Sequence, residues 1–298
     1  MERHQHHAWS GAGEDEKRVE RKHIAKEIMK IFETGVYNAP TRVLVPVHLS
    51  DWAENVRAVE PYSPEALAKL STPFAVRELL QRQHLDQPCQ VMMEKASSFE
   101  SRLVIAAPEG SVPLVMNFAN ANYRGGGFEN GASAQEEELC RCSTLYASLT
   151  SEEAGVMYRY NHEHDSPVDS DFMLLSPEVL VLREHGEYLL RPHHVAVATV
   201  AAPNRNSRRA RDLSDADIEA VLRQRLLRFF CMVAHRGYRD LVLGAWGCGA
   251  FGNDPAVVAA IFHDLLYREG FANVFRNISF SIFGGGRNYD VFAKVFRS

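Results

Sequence analysis

Strand-like apolar runs alternate with helical patterns from residue 90 to the end of the chain, and this alternation limits the fold more than any other feature of the sequence. Residues 195–200 and 241–243 are short apolar runs of the kind found in strands buried on both faces. The candidate strands are residues 90–94, 113–118, 194–201, 240–245 and 277–283.

The helices between the last candidate strands have recognisable start and stop signals. Ser214 and Asp217 form a capping pair for a helix that runs to about His235. Asp254 stands before a proline and caps a second helix, which ends ahead of Gly270. The sequence therefore predicts an α/β domain, a sheet covered by helices, with ligands bound in loops at the carboxyl ends of the strands.

The first third of the chain is predicted to be mostly helical. A charged amphipathic helix runs to about Glu33, with Gly35 as its stop. Residues 41–49 predict a strand. Two further helices are each expected to begin with a capping residue followed by proline, at Ser63 and at Thr72.

These patterns divide the chain into three parts. Residues 1–13 are polar and expected to be disordered, residues 14–88 form a mostly helical extension packed on the core, and residues 89–298 form the α/β domain. A chain of 298 residues with 46% hydrophobic residues can bury a core of this size.

Charge and apolar content exclude some classes of function. The net charge of −5 argues against a general nucleic-acid binder, which would be basic overall. A solvated, mobile loop is the favoured interpretation of the local arginine cluster, with phosphate contact as the alternative. The cluster consists of Arg205, Arg208, Arg209 and Arg211. No stretch approaches the ~20 apolar residues of a membrane span, so we expect a cytoplasmic protein.

The cysteines and histidines predict no metal or redox site. Five cysteines are an odd number without paired metal-type spacing, so we expect them to be reduced. Cys140 and Cys142 lie two apart on a predicted helix and face different ways. The histidines lack a carboxylate or cysteine pattern that would complete a ligand set, which favours surface positions for them.

One loop combines several features that point to a ligand. Gly125, Gly126 and Gly127 follow an asparagine-rich strand end, and three glycines let a backbone pass against a ligand without a Cβ in the way. Gln135 follows after seven intervening residues and opens a predicted helix with acids in its first turn, Glu136–Glu138. Acids in a first turn and glycines in a loop are each common, but their combination favours a functional site. The apolar residues expected on one face of this helix are Leu139, Cys142, Leu145, Tyr146 and Leu149.

A second glycine-rich loop follows the candidate strand at 240–245. Gly247 to Gly252 match the pattern GxGxxG, in which backbone N–H groups bind a pyrophosphate near a helix N-terminus. A dinucleotide-binding dehydrogenase would need a further βαβαβ half, for which the remaining chain is too short. The sequence therefore predicts a diphosphate loop but not a dehydrogenase.

These two loops resemble those of the poly(ADP-ribose) glycohydrolases. In that family GGG is followed by QEE after six to eight residues, and here the spacing is seven. The resemblance covers roughly residues 90–298 and is to the compact bacterial type. It implies a macrodomain-like mixed sheet flanked by helices. Two departures stand out, since Arg124 occupies a position where family members often carry proline, and Gly284–Gly286 follow Phe283.

The resemblance also implies a role for each site residue. Glu137 would be the general acid, Glu136 would bind the ribose hydroxyls, and Asn120 would orient the distal ribose. Phe283 would stack on adenine, with a place in the core as its alternative. Further substrate-binding residues would be Gly125, Gly126, Gly127, Gln135, Gly247, Cys248, Gly249, Ala250 and Phe251.

A single acid/base follows from the positions of the carboxylates. Most glycosidases place two carboxylates on opposite sides of the scissile bond. Glu136 and Glu137 are neighbours on a helix and point about 100° apart, so they share one side of the pocket. Glu137 would therefore protonate the leaving ribose and then activate water, with the positive charge steadied by the substrate's own diphosphate. No metal or other cofactor is expected.

Two other functions use the same kind of pocket. A macrodomain-like protein can bind ADP-ribose without turning it over, or it can remove single ADP-ribose units from proteins. A reader needs no general acid beside the ribose, so the acids of the QEE motif favour an enzyme. The expected partners are poly(ADP-ribose) and ADP-ribosylated proteins, with ADP-ribose as product, and neither a membrane nor a specific nucleic-acid sequence.

Overall fold

A computed structural model describes residues 13–40, 42–47, 58–107 and 110–297. The predicted disordered start therefore lies outside the described residues except for its last position. The predicted strand at 41–49 is described only in part, as the three-residue strand β2 (Leu44–Pro46), which pairs antiparallel with β1 (Val36–Asn38).

The described residues form a mixed sheet of seven strands with the predicted α/β character. Its strands, in chain order, are β3 (Glu60–Tyr62), β4 (Gln90–Glu94), β5 (Leu114–Ala119), β6 (Met173–Glu184), β7 (Glu187–Ala201), β8 (Asp240–Leu243) and β9 (Asn277–Ser281). Across the sheet their order is β3-β6-β7-β5-β8-β9-β4. The five strands from β7 to β4 are parallel, so their carboxyl ends share one edge of the sheet. The macrodomain-like fold predicted from the resemblance is confirmed.

Helices pack on both faces of this sheet and bury two large apolar clusters. They are, in chain order, α1 (Glu14–Thr34), α2 (Pro64–Leu70), α3 (Pro73–Arg82), α4 (Arg102–Ile105), α5 (Gln135–Cys142), α6 (Leu145–Thr150), α7 (Glu152–Glu163), α8 (Asp215–His235), α9 (Pro255–His263) and α10 (Gly286–Phe296). A single π-helical turn, Asp264–Arg268, continues α9 towards Gly270. None of the described helices is long and apolar enough to cross a bilayer.

Most of the predicted helix caps are confirmed. Gly35 ends α1 in the left-handed conformation, with a φ of 68°. Ser63 and Thr72 cap α2 and α3 through their side chains, and Ser214 and Asp217 form a reciprocal capping box on α8. These helices begin and end where local side-chain chemistry predicts.

The strand β6 and the first half of β7 were not predicted from the sequence. Pro177 lies inside β6, and a proline within an apolar run argues against a regular strand. The structure accommodates the proline through a register shift between Ser176 and Val179 in the pairing with β7. The hairpin thus extends well beyond the apolar run that the sequence marked.

The single helix expected after Gln135 is wrong, because the chain breaks at Ser143 into α5 and α6. Ser143 is extended and forms a bridge with Val181 of β6, while the Thr144 N–H donates to Leu180 O. The Ser143 hydroxyl donates to Leu139 O at 2.8 Å. Apolar residues continue across the break because both short helices contribute to one buried cluster, which includes Leu139, Cys142, Leu145 and Leu149.

Candidate active site

Gln135 fastens the start of α5 to the end of β5. Its amide oxygen accepts a hydrogen bond from the Phe118 N–H at 2.8 Å, and its amide nitrogen donates to Met116 O and to the Ser98 hydroxyl. All three contacts are with protein and position Gln135, while its predicted contact with substrate stays a prediction. The acids that follow are thereby held at the carboxyl edge of the sheet.

Glu136 is a buried carboxyl with both oxygens in hydrogen bonds. One oxygen accepts from the Asn120 N–H at 2.8 Å and the other from the Asn117 side-chain amide at 3.2 Å. Burial raises the pKa of Glu136 to about 8, although these two hydrogen bonds act to lower it. A largely protonated, neutral Glu136 at neutral pH follows from that pKa.

We expect the substitution Glu136→Gln to stabilise the fold at high pH. A folded-state pKa of about 8 lies above the ordinary value of 4.5. The stabilisation from the bound proton is therefore complete below that ordinary value and is lost as the pH rises through about 8. Thermal unfolding of the two proteins should give similar Tm values at about pH 4.5 and a higher Tm for the variant at about pH 8. A constant Tm difference across this range would contradict the burial of a neutral carboxyl.

Glu137 differs from its neighbour because only one of its oxygens is engaged. The Gly127 N–H donates to Oε1 at 2.8 Å, while Oε2 is buried and has no partner among the described residues. A Cβ built on Gly126 would overlap Oε1 of Glu137 and lie 3.2 Å from Glu136 Oε2. The glycine loop thus folds directly over the two acids. The close approach to a ligand that the three glycines predict stays a prediction.

Glu138 points away from this pair. Its side chain is half exposed and pairs with Arg141 at 2.9 Å, and Arg141 also donates to Ala132 O. The three consecutive acids therefore occupy three environments, and only the first two lie against the glycine loop.

The loop after β5 is held by several amides. Asn120 Oδ1 accepts from the N–H groups of Asn122 and Tyr123, each at 2.9 Å, while the Asn120 side-chain amide nitrogen has no acceptor within the described ranges. The Asn122 amide donates to Asp169, and the Asn161 amide donates to Ala121 O. An amide donor of Asn120 thus remains available to a ligand.

Arg124, directly before the glycines, is held by contacts of its side chain. Its guanidinium donates to Thr150 O at 2.9 Å, at the end of α6, and lies 5.4 Å from the centre of the Tyr158 ring. These contacts anchor the chain just before the glycines.

The second glycine-rich loop follows β8 at the same edge. Gly247 has a φ of 72°, and a Cβ there would collide with Ala202 and Asn253. The N–H groups of Gly249, Ala250 and Phe251 have no acceptor in the described part of the chain, whereas the Cys248 N–H donates to Ala245 O. The loop therefore offers several backbone donors next to the start of α9, which suits a diphosphate.

A cavity of about 470 Å³ lies at the β9 end of this edge. Phe118, Ala245, Ile282 and Phe283 line it beside Ser98. Phe283 is 79% exposed, so the alternative of a core position is wrong. Charged residues, among them Glu138 and Arg183, line another part of this cavity. The apolar part beside the exposed Phe283 ring suits a flat aromatic base.

Sequence reasoning gave no role to Asn117 or Asn161. Both are buried, and their amides donate to Glu136 and to Ala121 O, respectively. A polar residue inside an apolar strand was the available signal for Asn117. Across the described ranges, no three potential metal ligands come together in one group.

The chain is similar to bacterial poly(ADP-ribose) glycohydrolases in sequence and in structure. A model of the catalytic domain of microbial-type PARG matches residues 25–184. The structure of poly(ADP-ribose) glycohydrolase (PARG) from Thermomonospora curvata superposes with a TM-score of 0.83 and 37% identity, covering 94% of this chain and 100% of that one. The same protein bound to the inhibitor ADP-HPD gives 0.80 and 36%, covering 93% and 99%.

A second bacterial structure is similar over a smaller share of the chain. PARG from Deinococcus radiodurans in complex with ADP-ribose gives a TM-score of 0.72 with 32% identity, covering 82% of this chain and 96% of that one. No match is found among curated proteins.

Proposed function

The chain belongs to the microbial-type poly(ADP-ribose) glycohydrolase family, and we propose that it hydrolyses the ribose–ribose bonds of poly(ADP-ribose) with Glu137 as single general acid/base. This assignment rests on the different hydrogen-bond and ion-pair partners of three neighbouring carboxyl groups. Glu137 keeps one buried oxygen without a partner among the described residues. Glu136 has both oxygens in hydrogen bonds, and Glu138 binds Arg141. Only Glu137 is both held in place and available to react.

The proposed reaction uses the buried, unpaired oxygen of Glu137, Oε2, twice. Protonated Glu137 donates its proton to the ribose oxygen of the leaving unit as the bond from the anomeric carbon to that oxygen breaks. The resulting carboxylate then takes a proton from water while the water oxygen bonds to the cationic anomeric carbon. Glu137 ends protonated and ready for the next cycle. The hydrogen bond from the Gly127 N–H keeps the carboxyl oriented throughout.

The remaining residues bind and orient the substrate. We assign the distal ribose to the free amide of Asn120 and to Glu136, and the pocket wall beside it to the backbone of residues 125–127. The unpaired N–H groups of Gly249, Ala250 and Phe251 would take the diphosphate, with Phe251 closing over it. Phe283 would stack on adenine at the cavity of about 470 Å³. In this arrangement ADP-ribose lies along the carboxyl edge of the sheet.

Product analysis tests the proposed function against its alternatives. The protein would be incubated separately with poly(ADP-ribose), with a mono-ADP-ribosylated protein and with NAD, and the released products identified by mass spectrometry. We expect ADP-ribose from the polymer and little release from the other two. Tight ADP-ribose binding without any release would favour a reader, and release from the mono-modified protein alone would favour the other hydrolase.

The substitution Gly249→Val tests the diphosphate loop. A Cβ at Gly249 meets nothing within 4 Å, so the fold should survive. The branched side chain would stand where the backbone must approach phosphates, and we expect ADP-ribose affinity to fall by about tenfold or more. Calorimetry on the folded variant measures this loss. Unchanged affinity would exclude the loop from the site.

Partners and location are proposed on narrower grounds. ADP-ribosylated proteins would be partners because they carry the polymer. A cytoplasmic location is supported by the cysteines, all five of which are free. A part in the DNA damage response stays a prediction from the family resemblance.

A further inference from the structure

The order of the strands gives the bound substrate a direction. On the proposed function, adenine lies at the end of β9, the diphosphate at the loop after β8 and the distal ribose at the loop after β5. These strands are neighbours in the order β5-β8-β9, and β7 lies next to β5 on the other side. A polymer bound in this direction must continue past the scissile bond towards the carboxyl end of β7.

The loop at that end of β7 contains the arginine cluster Arg205, Arg208, Arg209 and Arg211. It is built against the diphosphate loop, since the Asn206 amide donates to Ala250 O at 2.9 Å and a Cβ on Gly252 would collide with Asn206. Asn253 also donates to Pro203 O. The favoured interpretation from the sequence was a mobile, solvated loop, but these contacts fix it beside the site.

Residues 164–172, between α7 and β6, join the arginine loop to the loop after β5. Asp165 pairs with Arg209, and Asp169 in the same segment accepts from Asn122 in the loop after β5. The arginine loop therefore contacts the diphosphate loop directly and reaches the loop that contains Asn120 through this bridge.

Two of the four arginines are already used within the protein. Arg205 donates to Ala210 O and pairs with Asp215, and Arg209 pairs with Asp165. The exposed side chains of Arg208 and Arg211 have no acceptor in the part of the chain that the structure describes. Two exposed, unpaired guanidinium groups thus stand on the side where the substrate leaves the pocket.

We propose that Arg208 and Arg211 bind the diphosphate of the ADP-ribose unit on the leaving side of the scissile bond. Every unit of the polymer has a diphosphate, and guanidinium groups bind phosphate oxygens through paired charged hydrogen bonds. The subsite rests on the proposed function and extends it, because it makes the protein prefer a chain over free ADP-ribose.

The test compares two double substitutions that remove the same charge. Both are made in the Glu137→Gln protein, so that the polymer is not cleaved during the measurement. Glu137→Gln is combined with Arg208→Gln and Arg211→Gln, or with Arg77→Gln and Arg297→Gln as control. Arg77 on α3 and Arg297 after α10 are exposed and lie away from the carboxyl edge of the sheet. Affinities are measured by fluorescence anisotropy for ADP-ribose and for a labelled oligomer of several ADP-ribose units.

We expect the first variant to bind the oligomer about tenfold more weakly and ADP-ribose unchanged, with the control unchanged for both. The dependence of log affinity on log salt should also flatten, by about 0.7 for each phosphate that the variant no longer neutralises, if the polymer behaves like a single-stranded nucleic acid. Equal oligomer affinity in both variants would overturn the subsite. So would an equal loss of affinity for free ADP-ribose, which would place the arginines in the first unit's own site.

Two further measurements separate this proposal from others. If wild-type protein released no ADP-ribose from the polymer, the proposed function would fail, whereas release with unchanged oligomer binding in the arginine variant would reject only the subsite. A single-stranded DNA of matched charge should compete weakly. Equal competition by that DNA would identify a general polyanion surface and contradict the assignment.

Discussion

The substitution Glu137→Gln should abolish release of ADP-ribose from the polymer and leave ADP-ribose affinity within about tenfold, or about 1.4 kcal/mol. The amide keeps the shape of the side chain and loses the transferable proton. Losing general acid–base catalysis costs ~10²–10⁴ in rate, and we expect the upper end because the neighbouring carboxyl of Glu136 is committed to two hydrogen bonds. The measurements are initial rates of ADP-ribose release and calorimetric titration of each protein with ADP-ribose.

The flanking acids serve as controls for this result. Glu136→Gln should retain measurable turnover, because Gln resembles the neutral carboxyl that a pKa of about 8 implies. Its amide can be accommodated if Asn117 turns over, since Asn117 Oδ1 is buried and unpaired among the described residues. Glu138→Gln should be nearly silent. Near-normal turnover by Glu137→Gln, together with loss of activity in either control, would show that Glu137 is not the general acid.

Features that depend on residues close together in the chain could be predicted from the sequence. Caps such as Ser214 and glycines such as Gly126 are required by backbone geometry within a few residues, and the sequence shows them directly. The two glycine-rich loops were also recognisable because each combines glycines with a strand before it and a helix after it. The parallel strands then bring both loops to one edge, which the α/β pattern implied.

The sequence failed where partners are distant along the chain. Ser143 leaves the helix because its backbone pairs with Val181, a residue on a strand that the sequence pattern did not predict. Gln135 contacts Ser98 and Met116, which no local pattern indicates. The different environments of Glu136 and Glu137 also depend on Asn117 and on the folded glycine loop, so three adjacent acids could be ranked only by analogy before the fold was known.

The substitution Gly126→Ala should reduce turnover by ~10²-fold or more, because about 1 Å of misplacement at a catalytic group can have this effect. Gly126 has a φ of 58°, and an added Cβ would overlap the same Glu137 oxygen that accepts the Gly127 N–H. Either the loop or the carboxyl must move, and the hydrogen bond that orients the acid is broken in both cases. Rates of ADP-ribose release measure the effect.

A matched variant isolates this close approach from backbone strain. Gly237 has a φ of 81°, and a Cβ there meets nothing within 4 Å. Gly237→Ala therefore adds a comparable left-handed strain of about 1–2 kcal/mol without touching the acids. Both variants should unfold at lower temperature, but only Gly126→Ala should lose turnover when assayed well below its Tm. Equal activity of the two variants would mean that close packing over Glu137 does not position the catalytic carboxyl, and that the Gly127 hydrogen bond survives by a shift of the loop.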